Sequence, residues 1–124
     1  MVLSRRTLLR AAGVSGLIGV SAGSSARGSA PAPVDWKALD ASLAGTVEVP
    51  GTTTYDGVRR LYDPRFDAVR PPAVARCANA ADVAEVLRFA RRSGVPVVPR
   101  GGGHSYVGAS TSATGVMLDT GERR

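Results

Sequence analysis

The feature that most constrains this chain is a run of three glycines, Gly101-Gly102-Gly103, set between Arg100 and the pair His104-Ser105. Consecutive glycines are poor helix and strand formers, so they mark a loop whose backbone can take positive φ angles. Before them, Val95-Pro96-Val97-Val98-Pro99 reads as a short apolar strand, interrupted at its prolines. After them, Val116-Met117-Leu118-Asp119 reads as a buried strand. The loop therefore joins two strands. Successive N–H groups turned inward would form an anion nest suited to a diphosphate, with Arg100 adding a cation at the entrance.

Two familiar phosphate loops do not fit these residues. A P-loop requires a lysine after its last glycine, and none follows here. A dinucleotide fingerprint starting at Gly101 requires glycine at 106, where the chain has Tyr106, and Val107 to Ser112 is a poor helix start. The glycines alone remain compatible with a plain flexible turn. His104 is the only histidine in the chain, and no second His, Asp or Glu lies nearby at ligand spacing, so metal binding is not expected. No nucleophile partner for it is evident, and Ser105 is not in a nucleophile elbow.

The remaining pattern is mixed α/β. Asp35 can cap a short helix with Trp36, Leu39 and Leu43 on one side, ended by Gly45. Thr46 to Val49 is a short strand candidate, and Tyr55 to Phe66 resists assignment. Val74 to Cys77 reads as a strand, which favours Cys77 as buried filler. Asn79 and Asp82 form an approximate capping box. The spacing of Val83, Val86, Leu87 and Ala90 then predicts an amphipathic helix, with Arg88, Arg91 and Arg92 as a solvated face and Gly94 as its left-handed stop. Strand, helix, strand, loop, strand is an α/β order.

The first 30 residues read differently. Ser4-Arg5-Arg6-Thr7-Leu8-Leu9-Arg10 precedes a mildly apolar stretch and then small residues, the order of a signal peptide. The paired arginines in that context resemble a twin-arginine export signal, with cleavage expected after Ala26 or Ala30. The apolar stretch is too short and too rich in Gly and Ser for a stable membrane span. The net charge is +6; residues 1–26 carry three of those charges, leaving 13 bases against 10 acids. No basic stripe with interleaved aromatics remains, so nucleic-acid binding is not expected.

The segment Val95 to Tyr106, with its Arg-Gly-Gly-Gly-His-Ser core, resembles the flavin loop of FAD-linked oxidases. That family includes berberine bridge enzyme and bacterial carbohydrate oxidases. The resemblance extends upstream through Tyr62 to Asp67, Pro72 to Cys77 and Ala81 to Leu87, and downstream through Gly108 to Ser110 and Val116 to Asp119. It covers residues 55–121. It implies residues 55–124 as an incomplete, N-terminal portion of a FAD-binding domain of the PCMH/vanillyl-alcohol-oxidase type. Residues 1–30 would then be signal and leader, and 31–54 a helix and linker.

On that resemblance, Arg100, Gly101, Gly102, Gly103 and Ser105 would cradle the FAD diphosphate. His104 would be bonded to the 8α-methyl of the flavin ring, and Gly108 would lie close to the cofactor. Cys77 does not match the later cysteine link of some members. The implied reaction is two-electron oxidation of an alcohol, sugar or amine carbon, with O2 as acceptor and the catalytic base supplied outside these residues. The other implied partners are a small-molecule substrate and the twin-arginine export machinery. Two rival readings stay open: a reductase or dehydrogenase of the same domain type with another acceptor, and a non-catalytic fragment that keeps only the diphosphate loop.

Overall fold

A computed structural model describes residues 32–121; the expected signal peptide lies outside the described residues. Helix α1 runs Trp36–Ser42. The Asp35 carboxylate caps it by accepting the Ala38 N–H at 2.9 Å, which satisfies one of the orphan donors of a helix start. The helix ends at Leu43 in an extended conformation rather than on a left-handed Gly45. Gly45 is glycine for a different reason: a Cβ there would collide with the Arg76 carbonyl oxygen.

Strand β1 is Thr46–Glu48. The ambiguous stretch after it folds as a single helical turn, α2, at Tyr55–Val58, and a 3₁₀ turn at Pro64–Phe66 capped by Asp63. Then come β2 at Val74–Arg76, α3 at Ala80–Ser93, β3 at Val97–Arg100 and β4 at Val116–Asp119. Strand β3 continues through Pro99, so the proline does not interrupt it. The sheet order β1-β2-β4-β3 puts β3 at an edge, where a missing N–H is tolerated. Strand β4 pairs in parallel with both β2 and β3, whereas β1 pairs antiparallel to β2.

Half of the expected capping box forms at α3: the Asn79 side chain accepts the Asp82 N–H at 2.9 Å. The Asp82 carboxylate instead accepts the N–H groups of Ala78 at 2.8 Å and of Ala44 and Gly45 at 2.9 Å. It thereby ties the start of α3 to the entrance of β1. The helix face also differs from the expected stripe. Val86 and Ala90 are buried as expected, but Leu87 is 48% exposed and Phe89 is buried in its place. Spacings of three and four residues admit both stripes. The choice is made by α1, whose Trp36 ring packs 5.8 Å from that of Phe89. Gly94 ends the helix at φ +66°.

Side chains alternate across the sheet. On one face Val47, Ala75, Val116 and Leu118 meet Leu39, Val86, Phe89 and Ala90 of the helices. Cys77 belongs to the same cluster and is buried. On the other face Val74 and Met117 meet Tyr55 and Leu61. Alternation from Val74 and Met117 places Arg76 and Asp119 on this second face, at the C-terminal ends of their strands. No helix among the described residues is long and apolar enough to cross a membrane.

Candidate functional site

The C-terminal ends of the parallel strands β2, β4 and β3 open onto a cavity of about 330 Å³. Ligands of parallel α/β sheets gather at this end of the strands, where loops leave and backbone groups lose their ladder partners. Gly101, Gly102 and Gly103 form one wall; Gly57, Val58 and Arg60 of the α2 region, with Arg76, Arg100, Asp119 and Gly121, form the rest.

The loop is held by its carbonyls. Thr120 N–H donates to the Arg100 carbonyl and Tyr62 N–H to that of Gly103, each at 2.9 Å. The N–H groups of Gly101, Gly102 and Gly103 donate to no acceptor among the described residues. Fixed carbonyls and uncommitted N–H groups are what an anion nest requires.

Arg100 takes an unexpected part. It is only 7% exposed, and its guanidinium donates to Asp119 Oδ2 at 2.6 Å and to the Arg60 carbonyl at 3.3 Å. The other Asp119 oxygen accepts Gly121 N–H at 2.9 Å. Arg100 is therefore a buried brace at the back of the cavity rather than a cation at its entrance. Asp119 is a carboxylate ending an otherwise apolar strand, and such a residue needs a buried partner. That requirement was visible in the sequence; the identity of the partner was not.

His104 lies outside the cavity and is exposed. Its imidazole faces the Tyr62 ring, with centroids 5.0 Å apart, and sits over Gly102, where an added Cβ would come within 2.8 Å of Nδ1. Ser105 uses its hydroxyl to accept the Ala109 N–H at 3.0 Å. Gly108 also lies away from the cavity, at φ +70°, with the Phe66 ring 2.5 Å from where a Cβ would stand. Its lack of a side chain is required by Phe66 and by its own backbone. Arg65 ties the two loops together by donating to the Tyr106 carbonyl at 2.6 Å.

Behind α2, Tyr55 is fully buried and donates to the Pro71 carbonyl at 2.6 Å. Burial pushes its phenol above the ordinary range, against the opposing pull of Arg70 and Arg59. Asp56 is held below the ordinary carboxylate range, chiefly by the hydrogen bond from Arg59. Sequence reasoning missed the cavity residues Arg60, Arg76 and Asp119, because the fold assembles them from three separate segments.

Residues 71–123 match the model of a family described as FAD binding domain. The chain is 36% identical over 78 residues to (R)-6-hydroxynicotine oxidase of Paenarthrobacter nicotinovorans, covering 63% of this chain and 17% of that protein. It is 44% identical over 57 residues to cytokinin dehydrogenase 7 of Oryza sativa subsp. japonica, covering 44% of this chain and 11% of that one. The fold matches BBE-like 1 of Physcomitrella patens with a TM-score of 0.62 at 31% identity, over 69% of this chain and 19% of that one. The chain thus spans under a fifth of the length of each of these relatives. With the glycine loop at the strand ends, residues 71–123 are thus similar to a FAD binding domain, and the chain is similar over part of its length to an oxidase, a dehydrogenase and a BBE-like protein.

Proposed function

We propose that this chain provides the FAD diphosphate seat of an exported FAD-linked oxidase, with His104 as the covalent attachment point. The observation that carries the reading is the set of uncommitted N–H groups at Gly101, Gly102 and Gly103, opening on a cavity at the ends of the parallel strands. The cavity suits the group: three arginines line it against one carboxylate, and that carboxylate is already engaged by Arg100 and Gly121.

When bound, FAD would supply two-electron oxidation of an alcohol, sugar or amine carbon, with O2 as the acceptor. The residues of this chain bind and orient. The loop N–H groups hold the diphosphate, and Arg100 with Asp119 fixes the loop. His104 is exposed beside the loop and reachable by a flavin ring. A neutral imidazole is a nucleophile, so attachment at this position is chemically sound. The Ser4 to Arg10 motif supports export of a protein folded around its cofactor. A second reading replaces O2 with another acceptor, and it is favoured by the similarity to a cytokinin dehydrogenase. Peroxide release during turnover distinguishes the two.

The test of attachment is direct. The full chain is expressed, acid-precipitated, denatured and run on a gel, and in-gel flavin fluorescence is recorded. A fluorescent band that disappears in His104→Ala is the expected result. Fluorescence that survives the substitution would remove His104 from its role.

A further inference from the structure

We propose that Tyr62 is a positioning residue for His104, holding the imidazole in the orientation from which it bonds to the flavin; this deepens the reading of His104 as the attachment point and rests on it. Tyr62 is 73% exposed and belongs to neither core cluster, so burial does not account for an aromatic ring at this position. Its ring lies against His104 instead. The centroids are 5.0 Å apart and the planes are inclined at 34°, within the tilted, offset range that aromatic pairs favour.

The backbone builds this contact from both sides of His104. Tyr62 N–H donates to the Gly103 carbonyl at 2.9 Å, which sets Tyr62 against the residue just before the histidine. Arg65 Nη2 donates to the Tyr106 carbonyl at 2.6 Å, two residues after it. Arg65 is itself aimed by Asp63, whose carboxylate accepts its backbone N–H and its Nε–H, each at 2.9 Å. The turn from Tyr62 to Arg65 therefore grips the chain on either side of His104 and lays one ring on the imidazole between the grips. Gly102 bounds the imidazole too, since a Cβ there would stand 2.8 Å from Nδ1. The histidine is held yet still exposed.

An exposed histidine beside a glycine run would otherwise sample several rotamers, and few of them would aim a ring nitrogen at one carbon. Attachment forms a bond between an imidazole nitrogen and the 8α carbon and breaks one N–H and one C–H bond. Two protons leave, and two electrons pass to the flavin, from which O2 removes them as peroxide. The rate of such a step follows the fraction of time the nitrogen is correctly placed. An aromatic pair of this kind raises that fraction about two- to tenfold.

The experiment reads the contact and the attachment separately, on the untagged full chain, in which His104 is the only histidine. Wild type, Tyr62→Phe and Tyr62→Leu are compared. Proton NMR without flavin records the His104 ring signals, which the Tyr62 ring current should displace from the free-histidine position. Displacement is expected in wild type and Tyr62→Phe and its loss in Tyr62→Leu. Each protein is then mixed with saturating FAD in air, and the growth of denaturation-resistant flavin fluorescence is timed. Tyr62→Leu should slow attachment about two- to tenfold, while Tyr62→Phe keeps the wild-type rate. Reversible FAD binding and thermal melts should be the same in all three, because Tyr62 lies outside the core clusters. Undisplaced His104 signals in wild type would overturn the contact. Attachment at the wild-type rate in Tyr62→Leu, or slowed equally in Tyr62→Phe, would overturn the positioning role and leave His104 as the attachment point. Displaced signals with no attached flavin in wild type would overturn attachment at His104, and this inference with it.

Discussion

Breaking the Arg100–Asp119 pair is the sharpest test of how the site is built. At 2.6 Å the direct attraction is about 6 kcal/mol with an effective dielectric constant of about 20. Burial of both side chains, 8% and 9% exposed, offsets much of that gain, so the net worth of the intact pair is small. Removing one partner is different, because it leaves an uncompensated charge in place. Arg100→Met is therefore expected to cost about 3–5 kcal/mol, a large share of the stability of a domain this size. Asp119→Leu should cost a similar amount, since Arg100 would be left without its carboxylate. The double variant Arg100→Met/Asp119→Leu removes both charges and should recover most of the loss, apart from the Gly121 N–H that Asp119 now satisfies. Urea melts followed by circular dichroism measure all four states, with ΔG read at constant m. Singles that each cost under about 1 kcal/mol, or a double equal to their sum, would refute the buried-brace reasoning.

Two further substitutions probe neighbouring structure. Asp82→Ala strips the acceptor from three backbone N–H groups at once; at about 1–3 kcal/mol for each stranded donor, a loss above about 3 kcal/mol is expected in the same melts. A loss under about 1 kcal/mol would mean that water replaces the carboxylate freely. Gly108→Ala meets both a positive φ and the Phe66 ring, so it should destabilise by about 2 kcal/mol. Pairing it with Phe66→Leu should return part of that loss, and no rescue would show that the backbone alone is responsible.

Much of the fold is legible from local pattern. Asp35 and Asn79 are caps whose side chains can reach the third residue onward, and both do so. Val116 to Leu118 is apolar enough to be a strand buried on both faces, and it lies in one of the two inner strands of the sheet. Where local pattern failed, two answers were locally equivalent. Leu87 and Phe89 each complete a helical stripe around Val86 and Ala90, and only the packing of Trp36 separates them. Gly45 looks like a helix stop, but it is needed where β2 crosses close by.

The sequence by itself determined the loop: three glycines between strands, a histidine and a serine after them, and the family resemblance those residues carry. Those are short-range facts, written in consecutive residues. The tertiary structure decided which charge does what. Arg100 is adjacent to the glycines in the chain, yet a carboxylate 19 residues away claims it. Arg60 and Arg76 lie far from the glycines in the chain, yet the fold brings them to the same cavity. Electrostatic roles depend on burial and on distances through space, and parallel strand pairing sets both by joining segments that sequence order keeps apart.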